Sequence, residues 1–131
     1  MHQYLTEEQL QTSLRLGRSI EQWLGYEHGS DYTILKWLRI DKEKNNEYSV
    51  SYFESFDEGS EQLLDIYEFS LLDADEPFGV ISTLASVDEA LKFATETYNA
   101  YSNKYVSAGM IQKEYSDYLD RKNIDRQRAL E

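Results

Sequence analysis

Apolar positions recur along this chain with two different periods, and the changes between them divide it into elements. Thr6-Glu7-Glu8-Gln9 has the form of a capping box and leads into Leu10 and Leu14, which predicts a helix near residues 7–15. The pattern beyond it can be read two ways. Leu10, Leu14, Ile20 and Leu24 fit one helical face, but Gly17 interrupts the run at about 1 kcal/mol relative to alanine. Ile20, Leu24 and Tyr26 also recur at even spacing, as along a strand. The preferred reading is a short helix and then a strand near 18–27.

After the turn signal His28-Gly29-Ser30-Asp31, the segment 32–40 is rich in β-branched and aromatic residues. As a strand it places Tyr32, Ile34, Leu38 and Ile40 on one face and Leu35, Trp37 and Arg39 on the other. A charged loop over 41–46 ends in the turn pair Asn45-Asn46. Residues 47–57 then alternate, with Tyr48, Val50, Tyr52 and Phe56 opposite Ser49, Ser51, Phe53 and Ser55, as in a half-buried antiparallel strand. Asp57-Glu58-Gly59-Ser60 is the next turn. A further strand is expected over 63–72, with Tyr67, Phe69 and Leu71 on one face. A loop over 73–77 leads to a short fifth strand over 78–84.

Ser86-Val87-Asp88-Glu89 is a second capping box. Val87, Ala90, Leu91, Ala94, Tyr98 and Tyr101 follow at helical spacing to about Ser102. A last helix is expected over 107–121, with Met110, Ile111, Tyr115, Tyr118 and Leu119 as its apolar set. Short loops between consecutive strands favour a meander. The predicted fold is therefore α+β: an antiparallel sheet of about four or five strands, a short N-terminal helix, and two C-terminal helices covering one face. With no Gly/Ser/Pro-rich linker and no internal repeat, residues 1–122 read as a single domain and 123–131 as a polar, frayed tail.

Composition changes the picture in two ways. Tyrosines number eleven against five phenylalanines, which suits half-buried positions and interfaces. The net charge is −12, and it is unevenly placed. Residues 41–80 hold twelve acids and only Lys42 and Lys44, whereas the segments before and after are almost balanced. Such a field disfavours nucleic acid and anionic membranes as partners and favours a basic protein. No stretch approaches the ~18 apolar residues of a membrane span. The first residues lack a signal-peptide pattern and there are no cysteines, so a reducing, cytoplasmic setting is expected. Leu130-Glu131 carries no functional weight.

Motifs for chemistry are sparse. Without cysteine there is no thiolate nucleophile or thiolate metal site. His2 lies at the terminus and His28 in a turn, with nothing in the spacing to build a triad. Neither phosphate-binding glycine motif occurs, and neither does H-E-x-x-H. Asp73, Asp75 and Glu76 offer oxygen ligands without the order of an EF-hand, and polar turn residues explain them, as they do Asp57, Glu58 and Glu61. Arg121, Lys122, Arg126 and Arg128 suit a helix C-terminus. No cofactor is expected, and the balance leans away from an enzyme.

Two features remain as candidate binding surfaces. One is the acidic middle, with Asp57, Glu58, Asp73, Asp75 and Glu76 in loops. The other is the strand face bearing Leu35, Trp37 and Phe53 among Arg39, Ser49, Ser51 and Ser55, which is a docking surface if the helices leave it uncovered. A non-catalytic interaction or regulatory module with an acidic surface over 41–80 is the leading reading. Its sharper form is an inhibitor or immunity-type protein that binds a basic partner. A homo-oligomer joined through the sheet face is another. A small-molecule or metal-dependent enzyme is the alternative, and it would gather several of Tyr48, Tyr52, Tyr67, Glu54 and Glu68 in one pocket.

Overall fold

The computed structural model describes residues 4–59, 65–73, 75, 76 and 79–130, the stretch 125–130 as helical backbone alone. Its first helix, α1 (Glu7–Arg15), starts where the capping box predicts. The Gln9 backbone N–H donates to Thr6 Oγ1 at 3.2 Å, and the Thr6 N–H donates to Gln9 Oε1 at 2.8 Å. Leu16 and Gly17, the latter at φ +81, end the helix, and the chain turns into a strand.

Four strands follow as an antiparallel meander: β1 (Ile20–His28), β2 (Thr33–Lys42), β3 (Tyr48–Phe56) and β4 (Val80–Leu84). A two-residue strand, β5 (Val106–Ser107), pairs with the outer side of β1, so the sheet order is β4-β3-β2-β1-β5. The β2–β3 connection turns through Asn45 and Asn46, both at positive φ, a conformation asparagine tolerates better than most residues. After β4 come α2 (Val87–Tyr98) and, beyond β5, α3 (Ile111–Leu130). At the start of α2 Ser86 Oγ accepts from the Glu89 N–H at 3.1 Å, but the Glu89 carboxylate accepts from the Ala85 N–H at 3.1 Å and not from that of Ser86, so half of the expected capping box forms. Asn99, at φ 60, ends α2 before the expected Ser102 and leaves Tyr101 exposed. The α+β class, the antiparallel sheet and the three helices agree with the sequence pattern.

Each face of the sheet carries a core. On the first, Leu10 and Leu14 of α1 and Val87, Ala90 and Ala94 of α2 pack against Ile20, Leu38, Ile40, Tyr48 and Val50. On the second, Ile111, Tyr115, Tyr118 and Leu119 of α3 pack against Leu35 and Trp37, together with Ile66 and Phe69. The helices, expected together on one face, are thus divided between two. Leu35 and Trp37 are apolar enough to require a cover of their own, and α3 brings the apolar stripe that provides it.

Two local readings are corrected. Ile20, Leu24 and Tyr26 do not share a face. Trp23 pairs with Trp37 and Gly25 with Lys36, so Leu24 is an extra residue in a β-bulge, with Gly25 at φ +129. The bulge shifts the parity of β1. Leu24 joins the first core, while Tyr26 turns to the second face and meets Tyr118 at 4.8 Å between ring centroids.

The strand expected over 63–72 is not formed among its described residues, and 60–64 lie outside them. Ile66–Glu68 is a single 3₁₀ turn, and Leu71 makes one isolated bridge to Ser55. Side chains compete with the ladder here. Asp65 Oδ1 accepts from the Tyr67 N–H at 3.2 Å and from Gln112 Nε2 at 2.8 Å, and Gln112 Oε1 accepts from the Ile66 N–H at 2.9 Å. These bonds tie the segment to α3, and β4 takes the place beside β3.

Candidate functional site

Small side chains leave a trough on the second face of the sheet. Across β2, β3 and β4 the register sets Arg39 opposite Ser51 and Ser51 opposite Ile81, then Asp41 opposite Ser49 and Ser49 opposite Thr83. The central serines cannot fill the space between their larger neighbours. None of the lining residues belongs to α3, which covers the Leu35–Trp37 end of this face. The result is a pocket of about 540 Å³. Its floor is Trp37, Arg39, Asp41, Ser49, Ser51 and Phe53. Its walls are Ile81 of β4, Glu43, and the segment carrying Ile66, Tyr67, Phe69 and Leu71.

One end of the pocket is aromatic. The Trp37 ring stacks on Phe53 at 4.1 Å and 17°, and Tyr67 meets Trp37 edge-on at 5.5 Å. The other end is charged. Arg39 Nε lies 3.0 Å from Asp41 Oδ1 and its Nη1 lies 3.2 Å from Glu21 Oε2. Glu21 is fully buried, and its remaining partners are the Tyr67 hydroxyl, donating at 2.5 Å, and the Gly109 N–H, donating at 2.8 Å. Burial, reinforced by the hydrogen bond to Glu21, pushes the Tyr67 hydroxyl well above its ordinary range and keeps it a donor.

Arg39, the only cation of the pocket lining among the described residues, is therefore neutralised within the fold. Ser19 also donates to Asp41. Glu43 is different. It is exposed at the rim and takes one hydrogen bond, from Ser49 Oγ at 2.8 Å. Among the described residues no cation pairs with it. Asp41 and Glu43 line the pocket with Arg39, and Glu21 is buried behind it, so lining carboxylates outnumber the one guanidinium beside the aromatic end. Such a combination is chemically suited to an organic cation: a carboxylate supplies charge, and a ring that stays accessible, such as that of Tyr67, supplies a second attraction.

The sequence-predicted residues fall in several places. Trp37 and Phe53 meet in the pocket. Leu35 is wholly buried in the second core, and Trp37 is only 2% exposed, so α3 and the 66–69 segment cover much of the face expected to be free. Asp57 is engaged inside the fold, accepting from the Tyr115 hydroxyl at 2.5 Å with Lys122 Nζ at 3.5 Å. Glu58 is exposed and binds Ser70 through the backbone N–H and the hydroxyl. Asp73 and Glu76 line a separate pocket of about 140 Å³ with Tyr52 and Glu54. Asp75 is exposed, its N–H donating to Asp73 Oδ1 at 2.9 Å.

The gathering expected for an enzyme does not occur in the pocket beside Arg39. Of Tyr48, Tyr52, Tyr67, Glu54 and Glu68, Tyr67 alone lines it, and Tyr48 is part of the first core. Among the described residues no group of three or more His, Cys, Asp or Glu side chains could hold a metal ion. Likewise, no helix there is long and apolar enough to cross a membrane.

Sequence reasoning missed Asp41, Glu43 and Glu21. Asp41 was legible: continuing the alternation Leu35, Trp37, Arg39 by one step puts it on the same face, because β2 runs on to Lys42. Glu21 depended on reading 20–28 as a strand with the bulge in place. No family model, no curated protein and no solved structure matches this chain.

Proposed function

We propose that this domain is a non-catalytic binding module whose pocket on the second sheet face receives a lysine or arginine side chain of a basic protein partner. The observation that carries the reading is the arrangement at Glu43: a carboxylate without a cationic partner among the described residues, at the rim of a pocket whose own arginine is already neutralised and whose far end holds Trp37, Phe53 and Tyr67. The concentration of acidic residues in 41–80 adds a long-range field that draws a basic protein and repels nucleic acid. An inhibitor or immunity-type role, in which the carboxylates occupy a partner's nucleic-acid site, is the finer form of the same reading. Asp73, Asp75, Glu76 and Glu58 then act as steering charges around the pocket. A single domain over 1–122 acting in the cytoplasm fits the reading, as does the lack of any cysteine to oxidise.

The test is a titration with N-acetyl-arginine amide and N-acetyl-lysine amide, followed by the backbone amide resonances of Ser49 and Ser51, with N-acetyl-glutamate amide as control. The cationic probes should shift those resonances and the anionic one should not. Glu43→Gln keeps the shape and the bond from Ser49 but removes the charge, and should weaken cation binding about two- to fivefold. Equal shifts from all three probes, or none from the cations, would sink the proposal.

A further inference from the structure

β4 is the outermost strand on its side of the sheet, and its sequence does nothing to protect that edge. Val80-Ile81-Ser82-Thr83-Leu84 contains no charged residue, no proline and no bulge. Edge strands that must stay unpaired usually carry one of these. The opposite edge is treated differently: β5 is only two residues long, and its Val106 is fully buried. In an antiparallel ladder, alternate residues of an edge strand aim their N–H and C=O groups outwards. Among the described residues no strand accepts those of β4.

Position gives the edge its meaning. Ile81 pairs with Ser51 and lines the pocket, so the pocket reaches the β4 edge. Val80, on the opposite face, lines the smaller pocket with Tyr52 and Glu54. A strand added beside β4 would run about 4.8 Å from it and present alternate side chains to the two faces. Those on the second face would extend over Ile81 towards Ser51, Ser49 and Glu43.

Charge selects the occupant. Exposed Asp73, Asp75 and Glu76 precede the strand, Asp88 and Glu89 follow it in the first turn of α2, and Glu43 stands at the rim. A second copy paired edge to edge would bring the same acidic flanks together in a chain of net charge −12. A basic extended segment meets opposite charge at both ends.

We infer that the partner docks an extended, lysine- or arginine-bearing segment as a sixth strand on β4, with its pocket-side cation reaching Glu43. This rests on the binding reading above and adds the mode of binding: main-chain bonds to the edge hold the segment, and the pocket selects its side chains.

The test uses the whole chain and a synthetic peptide, acetyl-Thr-Lys-Val-Lys-Val-Lys-Thr-amide, with two backbone N-methylated versions, one for each alternate set of amides. Only one set can face β4. Methylating that set should weaken binding about tenfold or more, while methylating the other should leave it nearly unchanged. Equal effects of the two sets overturn strand addition. If all three peptides bind alike and Glu43→Gln still weakens them, the pocket reading stands and the edge mode fails. If none binds, both fail.

Discussion

Asp57 was a candidate surface residue by sequence, and the fold gives it a different task that can be measured. Its carboxylate side chain is 5% exposed. It accepts from the Tyr115 hydroxyl at 2.5 Å and the Tyr118 hydroxyl at 3.4 Å, pinning α3 to the end of β3. Tyr115 is itself fully buried. In Asp57→Ala that buried hydroxyl loses its charged acceptor, which costs about 1–3 kcal/mol. Lys122 is 28% exposed and regains hydration, so its loss of a partner adds little. The expected total is about 2–3 kcal/mol.

A double-mutant cycle isolates the contact. Tyr115→Phe alone should cost about 1–2 kcal/mol, but in the Asp57→Ala background it removes a hydroxyl that has already lost its acceptor and should cost much less. The coupling should be about 1 kcal/mol or more, read from urea midpoints at unchanged slope. Additivity within about 0.5 kcal/mol would refute the assignment. Cation-probe binding at the pocket should be the same in Asp57→Ala, which separates this carboxylate from Glu43.

Further predictions concern glycine, tyrosine and pH. Gly79 and Gly17 both sit at φ +81, but a Cβ on Gly79 would lie 2.6 Å from the Tyr52 carbonyl oxygen, whereas one on Gly17 meets nothing within 4 Å. Gly17→Ala should cost about 1–2 kcal/mol and Gly79→Ala about 2–4 kcal/mol by urea denaturation; equal costs would contradict the close approach. The Tyr105 hydroxyl is buried with no partner among the described residues, so Tyr105→Phe should be neutral or stabilising by about 1 kcal/mol, and a clear loss would reveal a bond not accounted for. Burial raises the hydroxyl pKa of Tyr105, and burial with hydrogen bonds to Asp57 and Glu21 raises those of Tyr115 and Tyr67. The folded chain then holds these protons more tightly than the unfolded one. Stability should be flat in this respect below about pH 10 and fall as pH rises beyond it, by up to about 1.4 kcal/mol per pH unit for each fully buried group. Urea midpoints that do not fall between about pH 9 and about pH 11 would contradict the placement of these tyrosines.

Much of the scaffold was legible because its signals are local. Thr6–Gln9 and Ser86–Glu89 mark helix starts through bonds between residues three apart, and the alternation in 32–40 and 47–57 follows from the two sheet faces carrying different sets of side chains. What failed depended on distant partners. Tyr67, Phe69 and Leu71 alternate like a strand, yet Asp65 and Gln112 hold that segment in a turn against α3, and no local pattern announces a glutamine 46 positions away. Leu24 was misplaced relative to Tyr26 because one bulged residue reverses every later side chain in β1. For the site, the face with Trp37, Arg39, Ser49, Ser51 and Phe53 was visible as a pattern. That serines between larger neighbours would leave a trough required the register of three strands. Asp73, Asp75 and Glu76 drew attention as a run of charge, while Glu43, an acid set between Lys42 and Lys44, gave no comparable signal.

The most direct measurement of the central claim is a capture from source-organism lysate that compares the wild-type chain with Glu43→Gln at low and high salt. The account predicts a basic protein retained by wild type at low salt, reduced by the substitution, and released as salt rises, because an exposed carboxylate carries part of the contact. A partner retained equally by both chains at every salt concentration would contradict it, as would a partner that is itself acidic.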